Sequence, residues 1–192
     1  MMDLLLLAIS AIFVNNILLA QYLGNCPFCG VSKKLNTSIG MGVAVIFVVA
    51  LASVFTWLVY YYVLKPYDME FIQTLVFILI IASLVQFVEI FLKKQSKALY
   101  NALGIYLPLI TTNCAVMGIA LLNIKHEFNF IEMVIFSVAS SAGFALAIIL
   151  FAGLRERLLV SPVPRAMQGT AVALLTAGIM SLAFLGFYGM VQ

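Results

Sequence analysis

Charge is scarce in this chain. Lys, Arg, Asp and Glu make up 9% of 192 residues, with one histidine and one tryptophan, whereas soluble domains carry roughly 25% charged residues. The scarcity excludes a water-soluble surface. No basic patch interleaved with aromatics is present, which excludes nucleic acid as a partner. Three cysteines, Cys26, Cys29 and Cys114, are too few and too embedded in apolar sequence to form a secreted disulfide framework. The opening MMDLLLLAISAIFVNNILLA lacks the positive region and small-residue cleavage site of a signal peptide, and is expected to stay as a first helix. No nucleophile with a partnered base, no Gly-rich phosphate loop and no carboxylate dyad occurs.

Hydrophobic residues, by contrast, make up 65% of the chain and the mean hydropathy is +1.19. These values describe an all-α integral membrane protein whose surroundings are the lipid bilayer. A span needs roughly 20 mainly apolar residues, and breaks at charges and Gly/Pro clusters delimit six, at about 4–24, 39–63, 71–92, 99–124, 130–154 and 168–190. Lys and Arg are retained on the cytoplasmic side. The connections after spans one, three and five hold Lys33, Lys34, Lys93, Lys94, Lys97, Arg155, Arg157 and Arg165, against Lys65 and Lys125 on the opposite side. Both termini are therefore expected to face outward.

With three spans in each half, span four starts on the side opposite span one, so an internal repeat (about 1–95 and 96–192) must be inverted. Aligning the halves on their cysteines sets GNCPFCG (24–30) against TNCAVMG (112–118), a shared Asn-Cys-x-x-x-Gly. Each motif follows an apolar helical run and lies among breakers: Gly24, Pro27 and Gly30 in the first half, Gly104, Pro108 and Gly118 in the second. A helix carrying such residues kinks or stops. Broken first and fourth helices at matching places in inverted halves point to a midplane site.

Cys26 and Cys114 are the candidate ligands. A thiolate is a soft ligand for iron, zinc or copper, whereas a lone buried cysteine is usually a small hydrophobe. Two matched cysteines in an inverted pair would stand at similar depth near one axis, which leaves the ligand and packing readings level. An iron-sulfur cluster usually takes four thiolates, so another protein chain or a second copy must supply the rest. Cys29 has no counterpart, since Met117 aligns with it, and is read as packing. Asn113 can satisfy freed backbone groups or donate toward a cluster sulfur.

FVNNILLAQYLGNCPFCGVSKKL, LYNALGIYLPLITTNCAVMGIALLNI, LRERL and GTAVALLTAGIMSLAFLGF together resemble, along nearly the whole length, the family of A subunits of the Rnf complex, the ion-translocating ferredoxin:NAD+ oxidoreductase. The chain is similar at greater distance to the E subunit of the sodium-translocating NADH:quinone oxidoreductase. The resemblance implies six spans in inverted three-helix halves, within the bacterial cytoplasmic (inner) membrane. It also implies pairing with a homologous subunit of opposite topology, the Rnf E subunit, inside a multi-subunit complex. Each partner would give two cysteines to one shared 2Fe-2S cluster, here Cys26 and Cys114. That cluster would relay electrons between an iron-sulfur site on the cytoplasmic side and flavin on the outer side, coupled to Na+ or H+ movement. Catalysis at NAD+ would fall to other subunits. Cys29 departs from the usual pattern, where an apolar residue is common.

Other polar residues are read more plainly. Asn15 and Asn16 are expected to cross-link helices rather than coordinate an ion. Gln86 and Glu89 lie a turn apart near the inner end of span three. Glu89 is a candidate for an ion pathway, as an intramembrane acid is by default, and equally a helix-pair partner for Lys93. Arg155, Glu156 and Arg157 cap span five, His126 is a solvated loop residue, and the aromatics 57–63 form an outer interfacial belt. The competing reading is a small inverted-repeat solute or ion transporter without a metal centre. A purely structural scaffold ranks last.

Overall fold

The computed structural model describes residues 2–32, 35–67, 70–95, 107–160 and 169–188. All elements among them are helical. In chain order they are α1 (Met2–Ile9), which runs into a π-helical turn Ser10–Val14; α2 (Asn25–Val31); and α3 (Leu35–Val59), which continues as the π-helical turn Tyr60–Leu64 and the 3-10 turn Lys65–Tyr67. A further 3-10 turn, Glu70–Ile72, leads into α4 (Gln73–Gln95), followed by α5 (Leu107–Thr111), α6 (Cys114–Lys125), α7 (Phe130–Val160) and α8 (Thr170–Tyr188). The expected start of span four, 99–106 with Gly104, lies outside the described residues, as do Lys33, Lys34, Asp68, Lys97 and Arg165.

Four helical stretches are long and apolar enough to cross a membrane: Leu35–Tyr67, Gln73–Ile90, Pro108–Lys125 and Phe130–Leu158. Thr170–Gly186 is a shorter apolar helix. The first expected span is interrupted after Val14, so α1 with its π turn and α2 share its length. Span five runs past its expected end, to Val160.

The centre of the molecule is the pairing of α3 with α7. A Cβ on Gly42 would stand 2.9 Å from the Ala145 Cβ, so these helices approach at small residues, as membrane helices do in the absence of a hydrophobic drive between them. Met41, Val45 and Val49 of α3 and Phe144, Ile148 and Phe151 of α7 are completely buried there, and Ala115, Val116 and Ile119 of α6 join them in one cluster. On the outside, α4 presents Leu75, Leu79 and Phe87, and α8 presents Leu174 and Leu182. An apolar exterior is what a bilayer requires.

Two contact sets place the helix ends. At one end Leu35 N, the start of α3, donates to Glu156 Oε1 of α7 at 3.1 Å, and Arg155 Nη1 donates to Cys29 O at 3.0 Å and Ser32 Oγ at 3.1 Å. At the other, Trp57 Nε1 donates to Phe128 O at 3.3 Å, Trp57 packs on Tyr61 and Phe130, and Lys65 Nζ lies 4.9 Å over the Tyr61 ring. The junction of α2 and α3 therefore shares an end with the arginines of α7, and the aromatics 57–63 gather at the opposite end. His126 is exposed and stacks on Phe128.

The proline expectation is corrected. Pro27 sits in the first turn of α2, where a missing N–H costs nothing because those donors have no intrahelical acceptor. Pro27 therefore causes no break, and Gly30 and Gly118 lie inside helices. Asparagines do the breaking instead.

Candidate functional site

The first break begins where the π turn ends. Asn15 leaves helical geometry with φ −99° and ψ 43°, and the completely buried Asn16 takes over the freed backbone: its Oδ1 accepts from Leu18 N at 3.1 Å, while Nδ2 donates to Ile12 O at 3.1 Å and to Gly143 O of α7 at 2.9 Å. An asparagine that bonds the backbone two residues on offers the chain a turn in place of a helix. Tyr22 and Gly24 then take left-handed φ values of 56° and 93°. Ser181 of α8 donates to Leu19 O at 2.9 Å, so the 2.9 Å contact between Tyr22 and Ser181 has the phenol as donor. A cavity of about 150 Å³ lies here, lined by Val14, Asn16, Leu19, Ala20, Ser181, Phe184 and Leu185.

The second break is shorter. Thr112 Oγ1 turns back to Pro108 O at 3.0 Å. Asn113, 2% exposed, is the N-cap of α6, its Oδ1 accepting from Ala115 N at 3.0 Å. Asn113 Nδ2 is buried with no partner among the described residues.

The two breaks meet. Gly24 N donates to Cys114 Sγ at 2.8 Å, and a Cβ on Gly24 would lie 2.7 Å from Phe144 Cε2, 3.2 Å from Ala115 Cβ and 3.3 Å from Asn113 Oδ1. A Cβ on Gly118 would lie 2.6 Å from Leu23 Cδ1. The segment before the first motif thus packs directly on the second. Cys114 opens α6 and is half-buried; Cys26 stands in the first turn of α2 and is exposed. Phe28, stacked on Phe151 at 4.0 Å, and Arg155 at its far end hold α2 in place. Cys29 packs half-buried against the apolar cluster.

A family model described as "Rnf-Nqr subunit, membrane protein" matches residues 4–191. The chain belongs to the Rnf-Nqr family. It is 60% identical over 189 residues, covering 98% of each chain, to the A subunit of the Na(+)-translocating ferredoxin:NAD(+) oxidoreductase complex of Acetobacterium woodii. It is 54% identical to the A subunit of the ion-translocating oxidoreductase complex of Syntrophotalea carbinolica over 191 residues, covering 100% of this chain and 99% of that one. It is also 54% identical to the protein of the same name from Vibrio cholerae over 192 residues, covering all of both.

In this Rnf-Nqr chain the two motif cysteines stand at the starts of α2 and α6. Both are free thiols, one already accepting an N–H, and the residue before it carries an uncommitted amide donor. Among the described residues no three His, Cys, Asp or Glu side chains gather in one place, so a four-thiolate cluster would need ligands from another chain. The exposure of Cys26 leaves it open to such a neighbour. Glu89 belongs to a different element, half-buried on α4, with Gln86 exposed a turn before it and Lys93 exposed a turn after it. Sequence reasoning missed three features of the site: the Gly24 N–H on Cys114, the tie from Tyr22 through Ser181 to Leu19, and the inward turn of Arg155. The first had a signal, since Gly24 immediately precedes Asn25-Cys26 and a glycine there permits both positive φ and close approach.

Proposed function

We propose that this chain is the electron-relay member of an ion-translocating ferredoxin:NAD+ oxidoreductase. Cys26 and Cys114 would supply two thiolates of a 2Fe-2S cluster, and a homologous protein of opposite topology, the Rnf E subunit, the other two. A 2Fe-2S cluster bound there would supply one-electron transfer within the membrane. The observation that carries the reading is the 2.8 Å bond from Gly24 N to Cys114 Sγ, which joins the two cysteine motifs across the break in each half. This chain's own residues position Cys114: Asn113 caps the helix that begins there, Gly24 directs an N–H at its sulfur, and Phe144 and Ala115 pack against Gly24. The relatives, which are A subunits of such complexes, support membership of a multi-subunit redox complex.

The same reading takes the two halves as inverted three-helix repeats in one transmembrane domain. Both termini face outward from the cytoplasmic (inner) membrane, since the junction of α2 and α3 and the arginines of α7 share an end and positive residues stay inside. Low-temperature EPR with iron and sulfide analysis on the purified complex tests the cluster. Cys114→Ser in an assembled complex is expected to remove one reduced-cluster signal and leave the other centres intact. Unchanged spectra and metal content would make Cys114 a packing residue and move a small inverted-repeat transporter to first place.

Ion coupling is assigned to Na+ or H+ uptake through a path that includes Glu89. Glu89→Gln is expected to lower the ions moved per electron while the complex stays assembled. Unchanged coupled transport would remove Glu89 from the path and leave it a helix-surface residue.

A further inference from the structure

The amide of Asn113 has one end in use and one end idle. Its Oδ1 accepts the Ala115 N–H, which fixes the orientation of the group, because the reversed amide would set NH2 against N–H. Nδ2 is therefore a donor, in a residue 2% exposed, with no acceptor among the described residues. Buried donors in native proteins are rarely left so, and an acceptor from outside the chain answers the deficit. The neighbourhood specifies its chemistry. Asn113 precedes Cys114 directly, its Oδ1 lies 3.3 Å from where a Gly24 Cβ would stand, and Gly24 N already donates to Cys114 Sγ. One backbone N–H thus reaches the Cys114 thiol, and the residue just before that thiol carries an idle amide donor. Donors gathered at a thiol suit an electron-rich sulfur, either a partner's thiolate or a bridging sulfide.

Resting on the cluster reading above, we propose that Asn113 Nδ2 donates a hydrogen bond to a sulfur of the cluster held by Cys26 and Cys114, and with Gly24 N–H raises its reduction potential. Hydrogen bonds to cluster sulfurs stabilise the reduced, more negative state. Asn113→Ser and Asn113→Asp separate this role from capping, because Ser and Asp are both good N-caps and neither offers the amide donor.

EPR-monitored redox titration of the assembled complex is expected to show the intramembrane cluster harder to reduce in Asn113→Ser, by about tenfold in its reduction equilibrium, or about 59 mV for one electron. Asn113→Asp, which places negative charge where the donor was, should lower the potential further, and the other centres should not move. A merely structural cap would leave the potential unchanged in both variants, which would overturn the proposal. Should neither variant assemble, the wild-type complex labelled with side-chain 15N-asparagine gives the answer by pulsed EPR. A nitrogen coupling that changes with the label supports the bond, and none overturns it. The two failures are distinguishable. If Cys114→Ser leaves every cluster signal in place, the cluster reading itself fails; if it removes one signal whose potential Asn113→Ser leaves unmoved, only the role of Asn113 fails.

Discussion

Gly24→Ala is expected to cost on the order of 3 kcal/mol or more and to leave little assembled complex. Two independent penalties act at this residue. With φ 93° any L side chain is strained, at about 1–3 kcal/mol. The added methyl would also lie 2.7 Å from Phe144 Cε2, and overpacking a filled core costs about 1–3 kcal/mol more. Phe144 cannot give way, since it is completely buried between α3, α6 and the first break. The remaining relief is to lift residue 24 off α6, which breaks the N–H bond to Cys114. Any complex that does assemble should therefore have an altered or missing intramembrane cluster signal. Gly30→Ala is the control: nothing lies within 4 Å of its added Cβ, and alanine inside a helix is favoured by roughly 0.5–1 kcal/mol. Complex yield and thermal inactivation of the two variants compare them directly. A Gly24→Ala complex with wild-type yield and spectrum would show that the contact between the breaks is dispensable.

That contrast also shows how far the two cysteine motifs differ. Aligning the cysteines made Gly30 the equivalent of Gly118, yet Gly30 faces open space and Gly118 is crowded by Leu23. The caps are offset as well: Gly24 precedes α2 so that Asn25 is its first residue, whereas Asn113 itself caps α6 and Cys114 comes first. Asn25 is exposed while Asn113 is buried. A short motif records which residue types recur, but helix phase depends on where the chain departs from the helix, and that is decided by side-chain competition for backbone groups. Span positions were easier, because apolar length alone sets them: α3, α4 and α7 begin within a few residues of the expected starts. The break in the first span began about nine residues before its expected place because Asn16, not Gly24 or Pro27, starts it. The inward turn of Arg155 could not be read, since a cap and a clamp have the same composition.

The second large effect is expected at Asn16. The amide serves three backbone groups at once, accepting from Leu18 N and donating to Ile12 O and Gly143 O. Asn16→Ala would remove the partner of all three from a completely buried position. Leaving a buried backbone group unsatisfied costs about 1–3 kcal/mol, whereas side-chain bonds between membrane helices average only about 0.6 kcal/mol, because the reference state in the bilayer finds other partners. Here the higher figure governs. A Cβ on Gly143 would lie 3.1 Å from the Cα and O of Ile12, so the two backbones are already in contact and no other donor can enter between them. A loss of about 2–4 kcal/mol follows. Asn16→Asp should rescue little, since it keeps the acceptor for Leu18 N but turns an acceptor toward two carbonyls. Asn15→Ala, next in the chain, should behave as wild type, because Asn15 is exposed and its amide reaches only Ser10 Oγ at 3.4 Å. Yield of assembled complex, with the intramembrane cluster signal per complex, measures both. The signal matters because Asn16 anchors the stretch that carries Gly24 to Cys114, so partial loss of the anchor should loosen the site before the helices separate. If Asn16→Ala assembles with an unaltered signal, the tie of Tyr22 and Ser181 to Leu19 is enough to hold that stretch, and the position of Gly24 is set from α8 rather than from α7.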